Sequence, residues 1–238
     1  MGHLDYYQYQ ATARGVHSLA DVERGAEGRV HIWNRIIRPW LPADKACPIV
    51  ELACGHGSFL WWLRQCGFTR ALGADSSPEQ LAFARQTGVE VVQADAIAWL
   101  KEQPKSSQRA IVGIDFIEHI SKDDLMALLQ QSVRVLEPGG RLVMRFPNGD
   151  SPLVGMNLFN DITHVWTYTP NCLESLARMH GFTRTEFVDE STVAIRDHRW
   201  LKVPLSRLSK AVLGLLFRSA TREKIVHWSP NLWACLEK

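Results

Sequence analysis

One strand-to-helix turn constrains this chain more than any other feature. The apolar run that starts at Ile49 predicts a buried strand, and it ends in Gly55-x-Gly57 just before a helical pattern through Leu60. Glycine lets the backbone approach a ligand closely, because no Cβ stands in the way. A second apolar run ends in Asp75, and an acid at the tip of the next strand can accept hydrogen bonds from both hydroxyls of a ribose. The turn and this acid together indicate a nucleoside cofactor.

Strand and helix patterns alternate regularly after the turn. The predicted strands are Ile49–Ala53, Ala71–Ala74, Val89–Gln93, Ala110–Ile114 and Arg141–Phe146. The predicted helices between them are Phe59–Gln65, Pro78–Arg85, Ala96–Glu102 and Asp123–Leu136. Such alternation is typical of a parallel, doubly wound α/β sheet with right-handed crossovers. The stretch Glu137-Pro-Gly-Gly140 predicts a helix stop followed by a turn.

The 238 residues are enough for one domain with a subdomain. Residues 1–47 are expected to form a helical cap or lid, and residues 48–238 the main domain. Within that domain, 147–168 is an Asn- and Asp-rich loop suited to substrate contact, and 196–227 is a basic amphipathic helical insertion before the last strand. The predicted elements that flank this insertion are a helix Pro170–His180 and the strands Phe182–Val188 and Asn231–Leu236.

Charge and cysteine content exclude several classes of protein. A net charge of +2 disfavours a dedicated nucleic-acid binder, which is usually strongly basic. The five cysteines are scattered without a CxxC or CxxH pair, which indicates a reduced, cytoplasmic protein without a cysteine-based zinc site. No apolar run reaches the roughly 18–20 residues that cross a bilayer. We therefore expect a cytoplasmic protein, with peripheral contact at the inner membrane face as a further hypothesis.

The residues after the glycine turn discriminate between nucleoside cofactors. A dinucleotide fingerprint has a small residue where this chain has Leu60, and a phosphate-binding loop has Gly-Lys-Ser/Thr, which is absent here. Neither NAD nor ATP is therefore the natural ligand of the turn.

The order of motifs resembles that of class I S-adenosylmethionine (SAM)-dependent methyltransferases of types 11 and 12. The first motif starts at Glu51 and carries Ala53 where the family usually has its first glycine, a departure expected to narrow the turn without abolishing it. The later motifs are Gly73–Ala82, Val92–Ala96, Asp115–Ile120 and Leu136–Leu142. The resemblance implies a Rossmann-like seven-stranded sheet with SAM as cofactor.

The resemblance also implies roles for individual side chains. Asp75 would accept from the ribose hydroxyls and Asp95 from the adenine amine, although a strand-end aspartate such as Asp95 also commonly caps the next helix. Glu51 would orient the turn or reach the cofactor's amino group. Asp115 and Phe116 would lie beside the sulfonium. The expected cofactor set is Glu51, Ala53, Gly55, Gly57, Asp75, Ser76, Asp95, Ala96, Asp115 and Phe116.

Three side chains are candidates for the proton acceptor: His164, Asp161 and His119. The segment 159–170 resembles methyltransferases of bacterial cell-surface polysaccharide pathways, where Asp-x-Thr-His precedes a Thr-Pro helix start. An alcohol acceptor must lose its proton near the transition state, which suits a histidine or a carboxylate. The alternatives are structural, since Asp–Thr and His–backbone hydrogen bonds could hold the loop and His119 could anchor the next helix.

The resemblance leads to an O-methyltransferase of a small-molecule or saccharide acceptor, including a lipid-linked glycan. A second hypothesis is a quinone or phenol O-methyltransferase in which Asp115, Glu118 and His119 gather a divalent cation. A third, from another class, is a SAM-fold binding or scaffold protein without turnover. The Asn/Asp-Pro-Pro-Tyr/Phe motif of DNA-base and glutamine methylation is absent after the fourth strand.

The basic segment has its own alternatives. Basic residues outnumber acids over 196–224, and apolar residues follow helical spacing. Such a helix can lie on an anionic membrane surface, or it can pack on its own domain or on a second subunit. The oligomeric state is left open by the sequence.

Overall fold

The described strands form one sheet of seven. A computed structural model describes residues 15–190, 202–221 and 227–238. The strands are β1 (Ile49–Leu52), β2 (Ala71–Asp75), β3 (Glu90–Gln93), β4 (Gln108–Ile114), β5 (Leu136–Pro147), β6 (Arg184–Asp189) and β7 (Asn231–Glu237). Their order in the sheet is β3-β2-β1-β4-β5-β7-β6. The predicted doubly wound α/β fold is confirmed, with strand bounds that differ mainly at β4 and β5.

The helices begin at residues that suit helix starts. They are α1 (Leu19–Ile36), α2 (Ser58–Gln65), α3 (Pro78–Ala84), α4 (Ala96–Glu102), α5 (Lys122–Val135), α6 (Gly155–Leu158), α7 (Pro170–His180) and α8 (Lys202–Thr221). Ser77 and Thr169 accept hydrogen bonds from the first turns of α3 and α7, and a proline follows each cap. The predicted lid residues 1–14 lie outside the described part of the chain, as do 196–201 and 222–226 of the basic insertion.

The sheet is parallel except at β7. Strand β1 pairs in parallel with both β2 and β4, with Ile49 opposite Ala71 and Ala110. Strand β7 runs antiparallel to β5 and to β6 and lies between them, while the parallel arrangement predicted for the alternating strands and helices is confirmed. Parallel strands that emerge at the same edge bring the residues after β1, β2, β4 and β5 together.

Apolar side chains cover the sheet on both faces. One cluster joins the sheet to α4, α5 and α7, and the other joins it to α1, α2 and α3. In the second cluster the rings of Trp33 and Phe59 lie 5.5 Å apart, which fixes α1 against α2. Both faces of the sheet are therefore covered by apolar side chains, and the polar groups that a ligand can reach lie at the ends of the strands.

The predicted turn at Glu137–Gly140 is wrong. These residues belong to β5, which begins directly after α5. The amide of Gly139 donates to Lys238 O at 3.1 Å, the amide of Lys238 donates to Gly140 O at 3.0 Å, and the left-handed φ of 70° at Gly139 accommodates the irregular register there. Pairing with the end of the chain, which local sequence does not reveal, converts the turn into strand.

Candidate active site

A cavity of about 850 Å³ opens at the carboxyl ends of the strands. This is within the range of volumes found for small-molecule sites. One wall, here termed the turn side, is formed by Glu51, Ala53, Gly55, Asp75 and Asp95. The other wall, termed the histidine side, is formed by Glu118, His119, Asp161 and His164. Ser76, Asp115 and Phe116 also line the cavity, so most of the predicted site residues come together in one place.

The glycine turn is built from left-handed backbone. Ala53, Gly55 and Gly57 have φ values of 51°, 55° and 88°. Glycine adopts this region freely, whereas an alanine there is strained by about 1 kcal/mol. The alanine that replaces the family's first glycine therefore keeps the left-handed backbone at a cost in stability.

Asp75 fastens the turn to the second strand. One carboxylate oxygen accepts from the amide of Gly55 at 2.8 Å and the other from the amide of Ser77 at 2.8 Å. Burial raises the pKa of Asp75, and the amides of Ser77, Gly55 and Ser76 offset only part of that rise. Asp75 thus shapes the turn and also faces the cavity.

Two expected cofactor residues lie off the cavity wall. Gly57 and Ala96 are not among the described residues that line it. A Cβ at Gly57 would lie 2.9 Å from the Cα of Ala84, so this glycine permits close packing of α3. Ala96 is buried as the first residue of α4. The structure therefore supports a packing role for Gly57.

The absence of a side chain at Gly73 on β2 makes room for Leu60. A Cβ at Gly73 would lie 2.5 Å from Cδ1 of Leu60. The close helix–strand packing that dinucleotide folds achieve with a small helical residue is achieved here by a glycine on β2.

Asp95 caps a helix and lines the cavity. Its Oδ1 accepts from the amides of Ile97 at 3.0 Å and Ala98 at 2.9 Å. The capping alternative considered for this aspartate is therefore realised, and the same side chain reaches the turn side.

Glu51 is a buried acid without a hydrogen bond on one oxygen. The residue is 4% exposed, and its Oε2 has no hydrogen-bond partner among the described residues. Burial raises the pKa of Glu51 well above its ordinary value, and Asp75 raises it further. A buried polar atom without a partner is costly, so this carboxyl suits a ligand that brings a hydrogen-bond donor or a positive charge.

Asp115 is held by arginines. It adopts a left-handed φ of 53°, forms an ion pair with Arg145, and lies 3.8 Å from Arg29. Arg145 also pairs with Glu190 at 2.5 Å. Burial lowers the pKa of Arg145, but Asp115 and Glu190 outweigh it and keep the guanidinium charged. This network orients Asp115 beside Phe116 at the cavity wall.

Two imidazoles meet on the histidine side. His119 ends the short 3-10 helix Ile117–His119 after β4, whereas His164 comes from the loop after β5. Their ring centroids lie 4.6 Å apart. The fold therefore joins two candidates that are distant in sequence.

Hydrogen bonds assign the proton positions on both rings. Thr163 Oγ1 donates its one hydrogen to Asp161 Oδ1 at 2.6 Å. Thr163 Oγ1 must therefore accept from His119, so Nδ1 of His119, 2.9 Å away, carries a hydrogen. Nδ1 of His164 lies 3.0 Å from Leu158 O, which can only accept, so this nitrogen carries the hydrogen. With the hydrogen on Nδ1, the lone pair of a neutral imidazole is on Nε2.

The charges on this side follow from the same contacts. Burial, followed by the charge of His164, lowers the pKa of His119 to about 4, so His119 is neutral at neutral pH. Burial raises the pKa of Asp161, but the hydrogen bonds from Thr163 outweigh it and the net shift is downward. An ionised Asp161 therefore orients Thr163, and Thr163 orients His119.

Glu118 brings a second buried carboxyl to the pair of histidines. It is 2% exposed, its Oε2 lacks a hydrogen-bond partner within the described ranges, and burial raises its pKa well above the ordinary value. One ligand atom each from Glu118, His119 and His164 lies within 4.8 Å of the others, which could hold a metal ion. The ligand set expected from sequence contained Asp115, and the structure pairs Asp115 with Arg145 instead.

Two side chains at the site were missed from the sequence: Arg29 reaches the cavity from α1 and Arg145 from inside β5. The structural alternative for the loop is observed, since Thr163 bonds to Asp161 and His164 contacts the backbone oxygen of Leu158. The contact between Thr163 and His119 was not predicted. An arginine in the apolar pattern of β5 is the one local signal that could have indicated the ion-pair network.

The comparisons with known proteins agree with this geometry. Residues 49–140 match the family model described as a methyltransferase domain. A search of curated proteins found no match. Similar solved structures include a SAM-dependent methyltransferase from Archaeoglobus fulgidus, with 23% identity, a TM-score of 0.67, and coverage of 88% of this chain and 94% of that one.

Two further structures are similar at lower identity. A SAM-dependent methyltransferase from Thermotoga maritima, described as a possible histamine N-methyltransferase, has 16% identity, a TM-score of 0.64, and 98% and 97% coverage. Phosphoethanolamine N-methyltransferase 2 of Haemonchus contortus, in complex with SAM, has 16% identity and a TM-score of 0.60. In that pair 98% of this chain and 60% of the other are covered.

The methyltransferase domain over residues 49–140 and the fold shared with solved SAM-dependent methyltransferases together support an enzyme of this kind, with S-adenosylmethionine as cofactor.

Proposed function

We propose that the protein is an O-methyltransferase that acts on a hydroxyl of a small or saccharide acceptor. The observation that carries the proposal is the His119–His164 pair, which presents ring nitrogens with lone pairs at the cavity wall. A hydroxyl must lose its proton near the transition state of methyl transfer, whereas a neutral amine already has its nucleophilic lone pair. A pair of histidines placed to accept a proton therefore favours a hydroxyl oxygen over an amine nitrogen as the methylated atom, although solved structures of similar fold include N-methyltransferases.

The turn side fits the cofactor. When bound, SAM supplies a methyl group activated on a sulfonium. Glu51 would meet its ammonium group, which would give the unpartnered carboxyl oxygen a donor. Asp75 would accept from the ribose hydroxyls, Asp95 from the adenine amine, and Asp115 would lie near the positive centre.

The residues of the histidine side divide the remaining tasks. A pKa of about 4 makes His119 a weak base, which favours His164 as the group that takes the acceptor's proton at Nε2. His119 would accept a hydrogen bond from the acceptor and hold it in line. Asp161 would act through Thr163 to keep the ring of His119 in place.

A saccharide acceptor is supported by the polar groups near these rings. Asn157, Asn160 and Asn231 line the cavity beside His164. Amide side chains both donate and accept, which suits the hydroxyls of a sugar ring. The polysaccharide-pathway resemblance of segment 159–170 points the same way.

A metal-assisted O-methyltransferase is the second candidate. It is favoured by the grouping of Glu118, His119 and His164, two imidazoles and a carboxylate that suit a divalent transition metal. A cation there would lower the pKa of a bound hydroxyl and replace His164 as the means of activation.

Turnover on matched acceptors tests both candidates. The protein is incubated with SAM and with sugars that differ only in carrying a hydroxyl or an amine at one carbon, with and without EDTA. Methylation of the hydroxyl sugar that survives EDTA supports the first candidate, and its loss with EDTA and return with Mn²⁺ or Zn²⁺ supports the second. Preference for the amine would overturn both, and SAM binding without turnover on any acceptor would support a binding protein.

A further inference from the structure

The helix α8 turns its apolar side outward. Five of its large apolar residues are between 49% and 70% exposed, which is the reverse of a helix docked on its own domain. Leu213 is one of them, and the other four lie within an arc of about 100° around the helix axis. These four form the apolar face of α8: Leu208, Val212, Leu215 and Leu216. Within the described part of the chain, no helix combines the length and apolar composition needed to cross a membrane.

The opposite side of α8 is the one that meets the domain. A Cβ at Gly214 would lie 3.5 Å from the indole of Trp228, and Lys210 is half-buried. At about 100° per residue, Gly214 and Lys210 lie across the helix from Leu208 and Leu215. The apolar face of α8 therefore points away from the protein.

The charges on α8 favour an anionic partner. The sequence of the helix carries Lys202, Arg207, Lys210 and Arg218 and no acidic residue. Lys210 lies on the side that meets the domain, whereas Arg218 is exposed and follows Leu215 by three positions, next to the apolar face. Two copies of α8 packed together would bring like charges close without compensation from the helix itself, whereas a bilayer with anionic headgroups attracts basic side chains. The partner that suits an apolar face with basic flanks is a lipid surface.

A second exposed apolar group lies in the loop after β5, which also supplies residues to the cavity. Ser151 Oγ donates to the backbone oxygen of Trp228 at 2.9 Å, so the start of the loop after β5 is attached next to α8. In that loop Phe159 is 83% exposed and Ile162 is 88% exposed, close to the cavity residue His164. The apolar face of α8 and the exposed pair Phe159 and Ile162 thus belong to neighbouring segments.

We propose that the apolar face of α8 docks the protein onto an anionic membrane surface, with Phe159 and Ile162 as a second point of insertion at the cavity mouth. The helix lies in the plane of the interface, as amphipathic helices with basic polar sides do. This places the cavity mouth at the lipid surface, where a lipid-linked acceptor would be presented. The docking itself does not depend on which acceptor is methylated.

Sedimentation with vesicles tests the docking. The full chain is mixed at low salt with vesicles of phosphatidylcholine, alone or with phosphatidylglycerol. We expect binding to the anionic vesicles only, and at least tenfold weaker binding of the double variant Leu208→Asp, Leu215→Asp. Arg218→Glu should weaken binding about fivefold or more, since each basic side chain near an anionic surface contributes a comparable factor.

A matched variant separates docking from general effects. Met179 is 74% exposed on α7, so Met179→Asp adds the same kind of charge elsewhere and should bind vesicles like the wild type. All variants should bind SAM with unchanged Kd, which keeps this test distinct from that of the enzymatic proposal. Absence of wild-type sedimentation, equal binding of the double variant, or dissociation of a dimer by that variant without vesicles would overturn the proposal.

Discussion

The two walls of the cavity are built in different ways. The turn side comes from the ends of β1, β2 and β3, and two of its acids, Asp75 and Asp95, are fixed by nearby backbone amides. The histidine side joins His119 after β4 to His164 after β5, through side chains such as Thr163. The first wall is acidic and suits a cationic nucleoside, whereas the second brings two imidazole rings together. Damage to the turn side should therefore change affinity for SAM, and damage to the histidine side should change rate.

The sharpest separation is expected from His164→Ala. Loss of a general base lowers turnover by roughly 10²- to 10³-fold, while the Kd for SAM should stay within about twofold. The measurements are kcat under saturating acceptor and calorimetry with SAM.

A second histidine supplies the control for that variant. His180 on α7 also contacts a backbone oxygen through Nδ1, at 2.8 Å from Leu176 O, but it lies off the cavity. His180→Ala should leave kcat unchanged. Unaltered turnover in His164→Ala would remove His164 from the role of base.

Asp75→Ala should produce the opposite pattern. Loss of charge-assisted hydrogen bonds to two ribose hydroxyls weakens SAM binding by about 100-fold, and the amides of Gly55 and Ser77 also lose their acceptor. Titration calorimetry measures the affinity. Asp44→Ala, which removes a similar aspartate-to-amide bond at the surface, should leave the affinity unchanged, and an equal loss in both variants would contradict the role of Asp75.

The two buried carboxyls allow a direct test of one wall against the other. Burial raises the pKa of Glu51 above 4.5, so ionisation destabilises the folded apo protein increasingly as pH rises above that value. Glu51→Gln should therefore raise the free energy of unfolding near pH 7 by about 1 kcal/mol, with the gain disappearing below pH 4.5. It should also weaken SAM binding about tenfold, because the ammonium loses its anion.

Glu118→Gln is the counterpart on the histidine side. It should give a similar gain in stability without the loss of SAM affinity, since Glu118 lies next to His119 and His164. Denaturation at several pH values measures the stability, and calorimetry measures the affinity for SAM. If both variants weakened SAM binding equally, the division between the walls would be wrong.

The smallest effect is expected at the turn. Ala53→Gly relieves a left-handed φ of 51° but adds flexibility to the unfolded chain, so a net gain of about 0.5 kcal/mol is expected. Chemical denaturation measures it, with Ala46→Gly as a surface control. A loss of stability would show that the alanine side chain contributes packing that outweighs the strain.

Local patterns predicted the turn side better than the histidine side. Apolar periodicity and the Gly55–Gly57 spacing were enough to place β1, α2 and Asp75, because these contacts are close in sequence. His119, Asp161 and His164 were named from residue chemistry, but their arrangement around Thr163 depends on how the loop after β5 folds back. The antiparallel β7 and the extension of β5 through Gly139 depend on pairing with the end of the chain, which no local pattern encodes.

Titration of the full chain with S-adenosylhomocysteine, the product form of the cofactor, tests the central claim most directly. We expect the wild type and His164→Ala to bind at one site with the same Kd, and Asp75→Ala to bind about 100-fold more weakly. Absence of binding to the wild type, or equal weakening in the two variants, would contradict a cavity with one wall for the cofactor and one for the chemistry.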